Sequence, residues 1–484
     1  MRKLDHETAR YQRVAKIRQF TVVSLVSLLG FCTGTTLGWT SPMQPLLMSR
    51  DSPVGTEPMT EDKVAWLGSI NFLGTAIGTF FWGTIADRLG RKNIACISTV
   101  PYILNWTLIL AAQNFWILMA ARFIAGIANN GASMAASAFI SEVAQDDLRG
   151  FFGSFFIIFV NFGILYSYVI GTYFKYYALS IACLMVPIIF LLTFFWVPET
   201  PMFLWKNGQT VKAEQSVFWY RGGDAAETER VLLKYKSTPS NIKKKLSFMS
   251  LFATRGTTKG FILGMALMIA LQTSGILPVL SFAVSIFEIC GASLTPYQSA
   301  LIIGLVQVIF TCLSSLLVDK LGRKFLLISS LLTMSLSLLV LGAYLFFLST
   351  QPVASLLRWI PVISLSLFVS AYSIGVGPIP FIVVGEIFPT HLKGLAISYL
   401  LLGLGLTAFI FVKLFPIMKT LLQPYGCFWA YSVFCSLFSM FFYAYLPETK
   451  GKPQSEILNI LNNGSVNEIG VENEQDRLNK TEIK

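Results

Sequence analysis

Charge is scarce in this chain: only 13% of its 484 residues are Asp, Glu, Lys or Arg, against about 25% in a soluble domain. An ordinary water-soluble fold is excluded on that ground, because too few charged side chains are present to cover its surface. Histidine is limited to His6 and His391, so a His-based metal site or acid–base catalyst has almost nothing to draw on. The seven cysteines (Cys32, Cys96, Cys183, Cys290, Cys312, Cys427, Cys435) form no CxxC pair and lie mostly in apolar runs, which argues against a zinc site or a disulfide framework. No Ser-His-Asp or Cys-His set and no Gly-rich phosphate loop is assembled. Neither an enzyme nor a nucleotide-driven pump is expected, and no cofactor or metal. The first nineteen residues are too polar for a cleaved signal peptide, which leaves the first apolar run as the insertion signal.

What is plentiful is apolar. The chain is 54% hydrophobic with a mean hydropathy of +0.64, and its apolar runs fall at 20–40, 64–86, 93–112, 115–141, 150–172, 176–197, 258–288, 297–318, 325–348, 356–388, 395–417 and 424–446. A helix needs about 20 apolar residues to cross a bilayer, so the sequence predicts an all-α membrane protein with twelve transmembrane helices. They form an N-terminal half over 20–197 and a C-terminal half over 258–446, with a linker loop at 198–257 and a tail at 447–484. Within the linker, Val211–Tyr220 and Ala225–Lys236 read as amphipathic helices, and the tail as one short amphipathic turn followed by disorder.

Basic residues orient the helices. Thirty of the 37 fall on residues 1–19, the linker, the tail and the alternate loops on that side, and six (Arg50, Lys63, Lys175, Arg358, Lys413, Lys419) fall opposite. Both termini and the linker are therefore expected to be cytoplasmic. The net charge of +12 reads as an orientation signal and a contact with anionic lipid, not as a nucleic-acid footprint.

The charges that remain are patterned. Asp87-Arg88-Leu89-Gly90-Arg91-Lys92 returns 232 residues later as Asp319-Lys320-Leu321-Gly322-Arg323-Lys324. Glu142 stands seven residues before Arg149-Gly150, as Glu386 stands before Lys393-Gly394, and Pro198-Glu199-Thr200 is echoed by Pro447-Glu448-Thr449. Three motifs repeated in one order mark an internal duplication. Asp87, Arg88, Arg91, Glu142, Arg149, Glu199, Asp319, Arg323, Glu386, Lys393 and Glu448 all sit at helix ends on one side. They are expected to form a gating network that closes and opens that side, each basic residue folding back to its own half's acid or reaching the other half. Exposed pairs are worth about 0–1 kcal/mol each, which suits a latch between states of similar energy. Arg122 stands inside the fourth run, where an uncompensated charge is costly, and is expected to line the pathway. Gly375, Gly377, Pro378 and Pro380 interrupt the tenth run and predict a hinge, since proline removes backbone donors and frees carbonyls.

Duplicated six-helix halves with this loop resemble the major facilitator superfamily. Further motifs resemble its sugar-porter branch: Arg122-Phe-Ile-Ala-Gly126, Glu142…Arg149-Gly150, Pro198-Glu-Thr-Pro201, Gln272-x-Ser274-Gly275-Ile276, Gly377-Pro378-Ile379-Pro380 and Pro447-Glu-Thr-Lys-Gly451. Gly34-Thr-Thr-Leu-Gly-Trp-Thr-Ser-Pro42 looks most like the insect facilitated trehalose and glucose transporters. The resemblance implies a solute, hexose or trehalose, bound between the halves in a plasma membrane, with Gln272, Gln307, Ser274, Gly275, Gly377, Phe381 and Asn161 as candidate contacts. The chain departs from the family's pattern at Ile157, Leu271, Leu277, Phe381 and Leu404-Gly405, where sugar porters usually carry Gln, Gln, Asn, Trp and an Asn-Trp pair. Most of the amides that would grip sugar hydroxyls in a bidentate manner are thus missing. Family symporters carry an acid in the first span and Gly34–Gly38 contains none, so facilitative transport by alternating access leads. A proton-coupled symporter of sugar or another small solute and a non-transporting nutrient receptor are the alternatives.

Overall fold

The computed structural model of the protein describes residues 2–145, 147–237, 248–351 and 354–463, except for the side chains at 2–9, 83–84, 86–88, 319, 390–391 and 463. Among the described residues, all regular structure is helical. Eleven helices are long and apolar enough to cross a membrane: Arg10–Leu47, Glu61–Trp82, Arg91–Leu110, Phe115–Val143, Arg149–Tyr173, Tyr176–Phe194, Arg255–Ser281, Pro296–Val318, Arg323–Thr350, Ser355–Ile387 and Leu392–Tyr445. The last crosses twice. Gln423, before Pro424, takes φ 59° and ψ 162°, and the rings of Phe411 and Phe434 lie 6.4 Å apart. Unbroken helix at 1.5 Å per residue would separate them by about 35 Å. Twelve spans result, numbered here first to twelfth.

The duplication is visible at the helix starts. Thr60 before the second span accepts a bond from Lys63 N at 3.3 Å, and Thr295 before the eighth accepts one from Gln298 N at 3.3 Å. Each cap satisfies an N–H that a helix start leaves without a partner.

Packing inside the first half rests on small residues. A Cβ on Gly34 of the first span would meet the Val160 carbonyl and Gly163 of the fifth, and a Cβ on Gly126 of the fourth would meet Asn71 and Gly74 of the second. Lipid tails are as apolar as leucine, so close backbone approach and polar bonds hold membrane helices together. One buried polar cluster joins four spans: Thr36 Oγ1 (3.2 Å) and Tyr102 Oη (2.8 Å) donate to Asn129 Oδ1, and Asn129 Nδ2 donates to Asn71 Oδ1 at 3.2 Å. Outward faces carry exposed Leu192, Leu316, Ile363 and Leu437, a surface suited to lipid. The protein is a multi-pass membrane protein.

The halves meet along two seams, second span against eleventh and fifth against eighth. Away from the duplicated loops, Tyr168 Oη donates to Leu280 O at 2.6 Å and Val284 N donates to Ser41 Oγ at 3.2 Å.

Outside the spans, the linker forms helices at Pro201–Lys206, Thr210–Tyr220 and Ala225–Ser237. The first helix extends beyond the bundle to meet them, with Arg18 Nη1 bonded to Trp219 O (2.8 Å) and Gln19 Nε2 to Tyr220 O (3.1 Å). The tail exceeds the single turn expected of it. Gln454–Asn463 is helical, because Ile457 and Leu461 are both buried and Asn462 Oδ1 accepts from Gly256 N at 2.5 Å.

Candidate functional site

The repeated charges build the same device twice. Gly90 and Gly322 end the second and eighth helices with φ of 93° and 89°, values that favour glycine. The absent side chains also leave room for a carboxylate, Glu199 beside Gly90 and Glu448 beside Gly322. Glu199 Oε1 accepts from the backbone N–H of Arg91 (3.1 Å), Lys92 (3.0 Å) and Thr200 (2.8 Å). Glu448 accepts from Arg323 (2.9 Å), Lys324 (3.1 Å), Thr449 (3.0 Å) and Lys450 (3.0 Å). Each carboxylate therefore caps the helix that opens the next span, where unbonded N–H groups and the helix dipole favour negative charge.

The two caps differ electrostatically. Burial pushes the Glu199 carboxyl above its ordinary range, overriding its backbone donors. Burial pushes Glu448 up too, but its four backbone donors together hold it below that range.

A second layer pairs the remaining acids. Arg91 Nε meets Glu142 Oε1 at 2.8 Å, and Arg323 Nη2 meets Glu386 Oε1 at 3.1 Å. Both pairs join elements of a single half. Thr200, not singled out from sequence, donates to Glu142 Oε2 at 2.5 Å; its place in the repeated Pro-Glu-Thr was the available signal. Arg149 begins the short helix leading into the fifth span and influences Tyr235 electrostatically together with Arg221 and Glu142. The Lys393 ammonium lies over Gly385, next to Glu386. The side chains of Asp87, Arg88 and Asp319 lie outside the described residues.

Arg122 is buried within the first half, at 1% exposure. Its guanidinium donates to Leu67 O (3.2 Å), Thr36 O (2.6 Å) and Thr40 Oγ1 (3.2 Å) and lies 5.4 Å from the centre of the Trp39 ring. These partners belong to the first and second spans, and the first span's helix is interrupted at Trp39. All three acceptors are neutral oxygens. Among the described residues, Arg122 is also the only charged side chain that is fully buried.

In mid-membrane the structure brings Asn161 and Gln307 together across the halves. Gln307 Nε2 donates to Asn161 Oδ1 at 3.0 Å, and Asn161 Nδ2 donates to Thr311 Oγ1 at 2.7 Å. Thr311 lies one helical turn beyond Gln307, on the same face, which is the spacing that could have identified it. Gln307 and Gln272 are each about 3% exposed, and each keeps a buried Oε1 without a donor. Leaving such an acceptor unpaired costs about 1–3 kcal/mol.

Ser274 and Gly275 break the seventh span. Ser274 Oγ donates to Leu271 O at 2.7 Å, while Gly275, at φ 86°, packs its bare Cα against the Tyr431 ring. The tenth span is broken as expected. Residues Tyr372–Val376 form a π-turn in which Gly377 N donates to Tyr372 O at 2.8 Å. The Ile374 carbonyl is bonded by Ser314 Oγ at 3.0 Å, and Gly375 lets Ser330 approach. Phe381 follows this break, 45% exposed. No hydrogen bond joins Ser274, Gly275, Gly377 or Phe381 to the Asn161–Gln307 pair among the described residues. Thr35 and Thr36 bond carbonyls of their own helix at Cys32 and Thr33.

Comparison with known proteins agrees with this geometry. Residues 14–461 match the family model described as "Sugar (and other) transporter". Mouse solute carrier family 2, facilitated glucose transporter member 8, is 31% identical over 465 residues, covering 92% of this chain and 95% of the mouse protein. The facilitated trehalose transporter Tret1 of Bombyx mori is 32% identical over 449 residues, covering 92% of this chain and 87% of its own length. Among solved structures, the inward-open xylose transporter XylE from E. coli superimposes with a TM-score of 0.76 at 21% identity, over 91% of this chain and 99% of the other. The proton:xylose symporter XylE bound to 6-bromo-6-deoxy-D-glucose gives 0.72 at 21% identity, over 92% and 99%. At that identity the likeness establishes the fold.

Proposed function

The chain belongs to the sugar transporter family, and from that premise we propose that it is a facilitative carrier that moves a hexose or trehalose down its gradient by alternating access. One observation carries the facilitative part. The buried Arg122 is satisfied by Leu67 O, Thr36 O and Thr40 Oγ1, and among the described residues no carboxylate is bonded to it to take up and release a proton. A coupled carrier needs a titrating group inside the membrane, and among the described residues no carboxylate is fully buried.

The unpaired Oε1 atoms of Gln272 and Gln307 provide acceptors for solute hydroxyls, which can donate as well as accept. Asn161 and Thr311 hold Gln307 in place, and Phe381 supplies an apolar face. Ser274, Gly275 and Gly377 break the surrounding helices so that backbone can approach the solute. Arg122 keeps the first, second and fourth spans in register beside the pathway.

The 20–197 and 258–446 halves move against one another. The repeated-loop end, with the linker and both termini, faces the cytoplasm of a cell whose plasma membrane houses the protein. The basic-residue imbalance supports this orientation. A cysteine at Ser237 should react with an impermeant maleimide only after the membrane is opened; labelling in intact cells would reverse the topology. At the cytoplasmic end, Asp87, Arg88, Arg91, Glu142, Arg149, Glu199, Asp319, Arg323, Glu386, Lys393 and Glu448 set how the helix ends pack in each state.

Purified protein in liposomes, offered labelled hexoses, trehalose, polyols and small organic ions, should take up a sugar in a saturable manner. Saturable binding without flux would identify a nutrient receptor instead.

A further inference from the structure

At the end away from the duplicated loops, charge crosses between the halves. Asp62 Oδ1 lies 2.5 Å from Lys413 Nζ, and Glu61 Oε2 lies 2.8 Å from Lys419 Nζ. The two acids form the first turn of the second span behind the Thr60 cap, where the helix dipole favours them. The two lysines lie in the eleventh span, on either side of Pro416. Lys413 is held on two sides: it also donates to the Asp62 carbonyl at 3.4 Å, and its Nζ sits 4.5 Å from the centre of the Trp66 ring. Trp66 lies one helical turn below Asp62 and meets Phe409 of the eleventh span with ring centres 5.8 Å apart. Below that, Gly405 packs directly on Ala76. The seam therefore runs from mid-membrane to the distal surface and ends in two ion pairs. The lysine side chains are 16% and 22% exposed, and their acids 67% and 47%.

This arrangement has no counterpart in the other half. Thr60-Glu61-Asp62-Lys63 corresponds to Thr295-Pro296-Tyr297-Gln298, where the cap is kept and both acids are absent. At the opposite end, the pairs Arg91–Glu142 and Arg323–Glu386 each stay within one half. The distal pairs are thus separate from the repeated motifs.

We propose that Glu61, Asp62, Lys413 and Lys419 form a charge latch that closes the distal, extracellular end and must part when that end opens. The proposal rests on the alternating-access reading, because a rigid bundle would have no use for a latch between its halves. Two partly exposed pairs, together with the Lys413–Trp66 contact, set the scale. Neutralising both acids should shift the inward-to-outward population ratio by roughly fivefold.

Ser41 reports the state, since its hydroxyl accepts from Val284 N across the same closed end and is fully buried. In membrane discs, the labelling rate of Ser41→Cys by an impermeant maleimide, above the Ser41 parent, should rise about fivefold in Glu61→Gln/Asp62→Asn. It should rise further in Glu61→Lys/Asp62→Lys, and return toward the parent when Lys413→Glu/Lys419→Glu is added. An unchanged rate in the neutralised variant, or no return in the full swap, overturns the latch. The readout needs no transported solute. Labelling that follows this order without sugar uptake supports the latch and counts against the sugar reading alone.

Discussion

Reversing Glu386 to Arg gives the most informative perturbation of the repeated charge device. In the native protein its Oε1 lies 3.1 Å from Arg323 Nη2, and the side chains are 27% and 13% exposed. Opposite charges about 4 Å apart in an effective dielectric of ~20 attract by ~4 kcal/mol. Desolvation and side-chain ordering cancel most of this, leaving ~1–2 kcal/mol for a pair shielded to this degree. Glu386→Arg loses that attraction and adds repulsion between two guanidinium groups, so a destabilisation of ~2 kcal/mol is expected. Arg323→Glu should cost a similar amount through the same contact. The cap on this helix survives both changes, because Glu448 binds the backbone N–H of residue 323, which any residue there supplies. The exchanged pair Arg323→Glu/Glu386→Arg should therefore regain about 3 kcal/mol relative to the sum of the single changes. Thermal melts of the four proteins in one detergent, followed by monodispersity, complete the cycle. Single variants should melt about 2 °C lower, with partial recovery in the exchange. Coupling below about 0.3 kcal/mol, the level of simple additivity, would refute an energetic role for the pair.

Three further outcomes are expected. Gln272→Leu removes a buried acceptor that has no donor, so the half-saturation concentration for sugar should rise five- to tenfold, about 1–1.4 kcal/mol, with yield unchanged; Gln307→Leu should raise it as much and also lower yield, because Asn161 Oδ1 loses its donor; unchanged affinity in both variants would remove these residues from the site. Arg122→Leu removes the bonds to Thr36 O, Leu67 O and Thr40 Oγ1 inside the first half and should destabilise by about 1–3 kcal/mol; normal yield and melting would show that the arginine does not hold the three spans. Glu448, held below its ordinary range, contributes stability above that range and loses it as pH falls, so the melting advantage of the parent over Glu448→Gln should shrink between pH 7 and pH 4. Glu199, pushed up by burial, has the opposite sign, and the advantage over Glu199→Gln should not shrink as acid is added.

Much of the architecture was legible because the bilayer imposes a length and a periodicity that a sequence must display. Uninterrupted apolar runs located the spans, and the repeated hexapeptide located the joints between them. The motif chemistry was less legible. That Glu199 and Glu448 also cap helices was not legible, because it depends on the space that Gly90 and Gly322 leave for a carboxylate, which no linear pattern reveals. Arg122 looked like a pathway residue because a charge within an apolar run suggests water. The neutral oxygens that satisfy it belong to the first and second spans, which the fourth run alone does not reveal. Asn161 and Gln307 are 146 residues apart in sequence, and only the fifth–eighth seam brings them together. The distal lysines were read solely as orientation charges and Glu61 and Asp62 were not singled out, since their pairing depends on the second–eleventh seam.

The claim that matters most is transport without proton coupling. It is tested most directly in liposomes with equal labelled sugar on both sides and an imposed inward proton gradient. The account predicts that internal sugar stays at the external concentration and that no proton influx accompanies sugar entry. Accumulation above the external level, abolished by a protonophore, would contradict it.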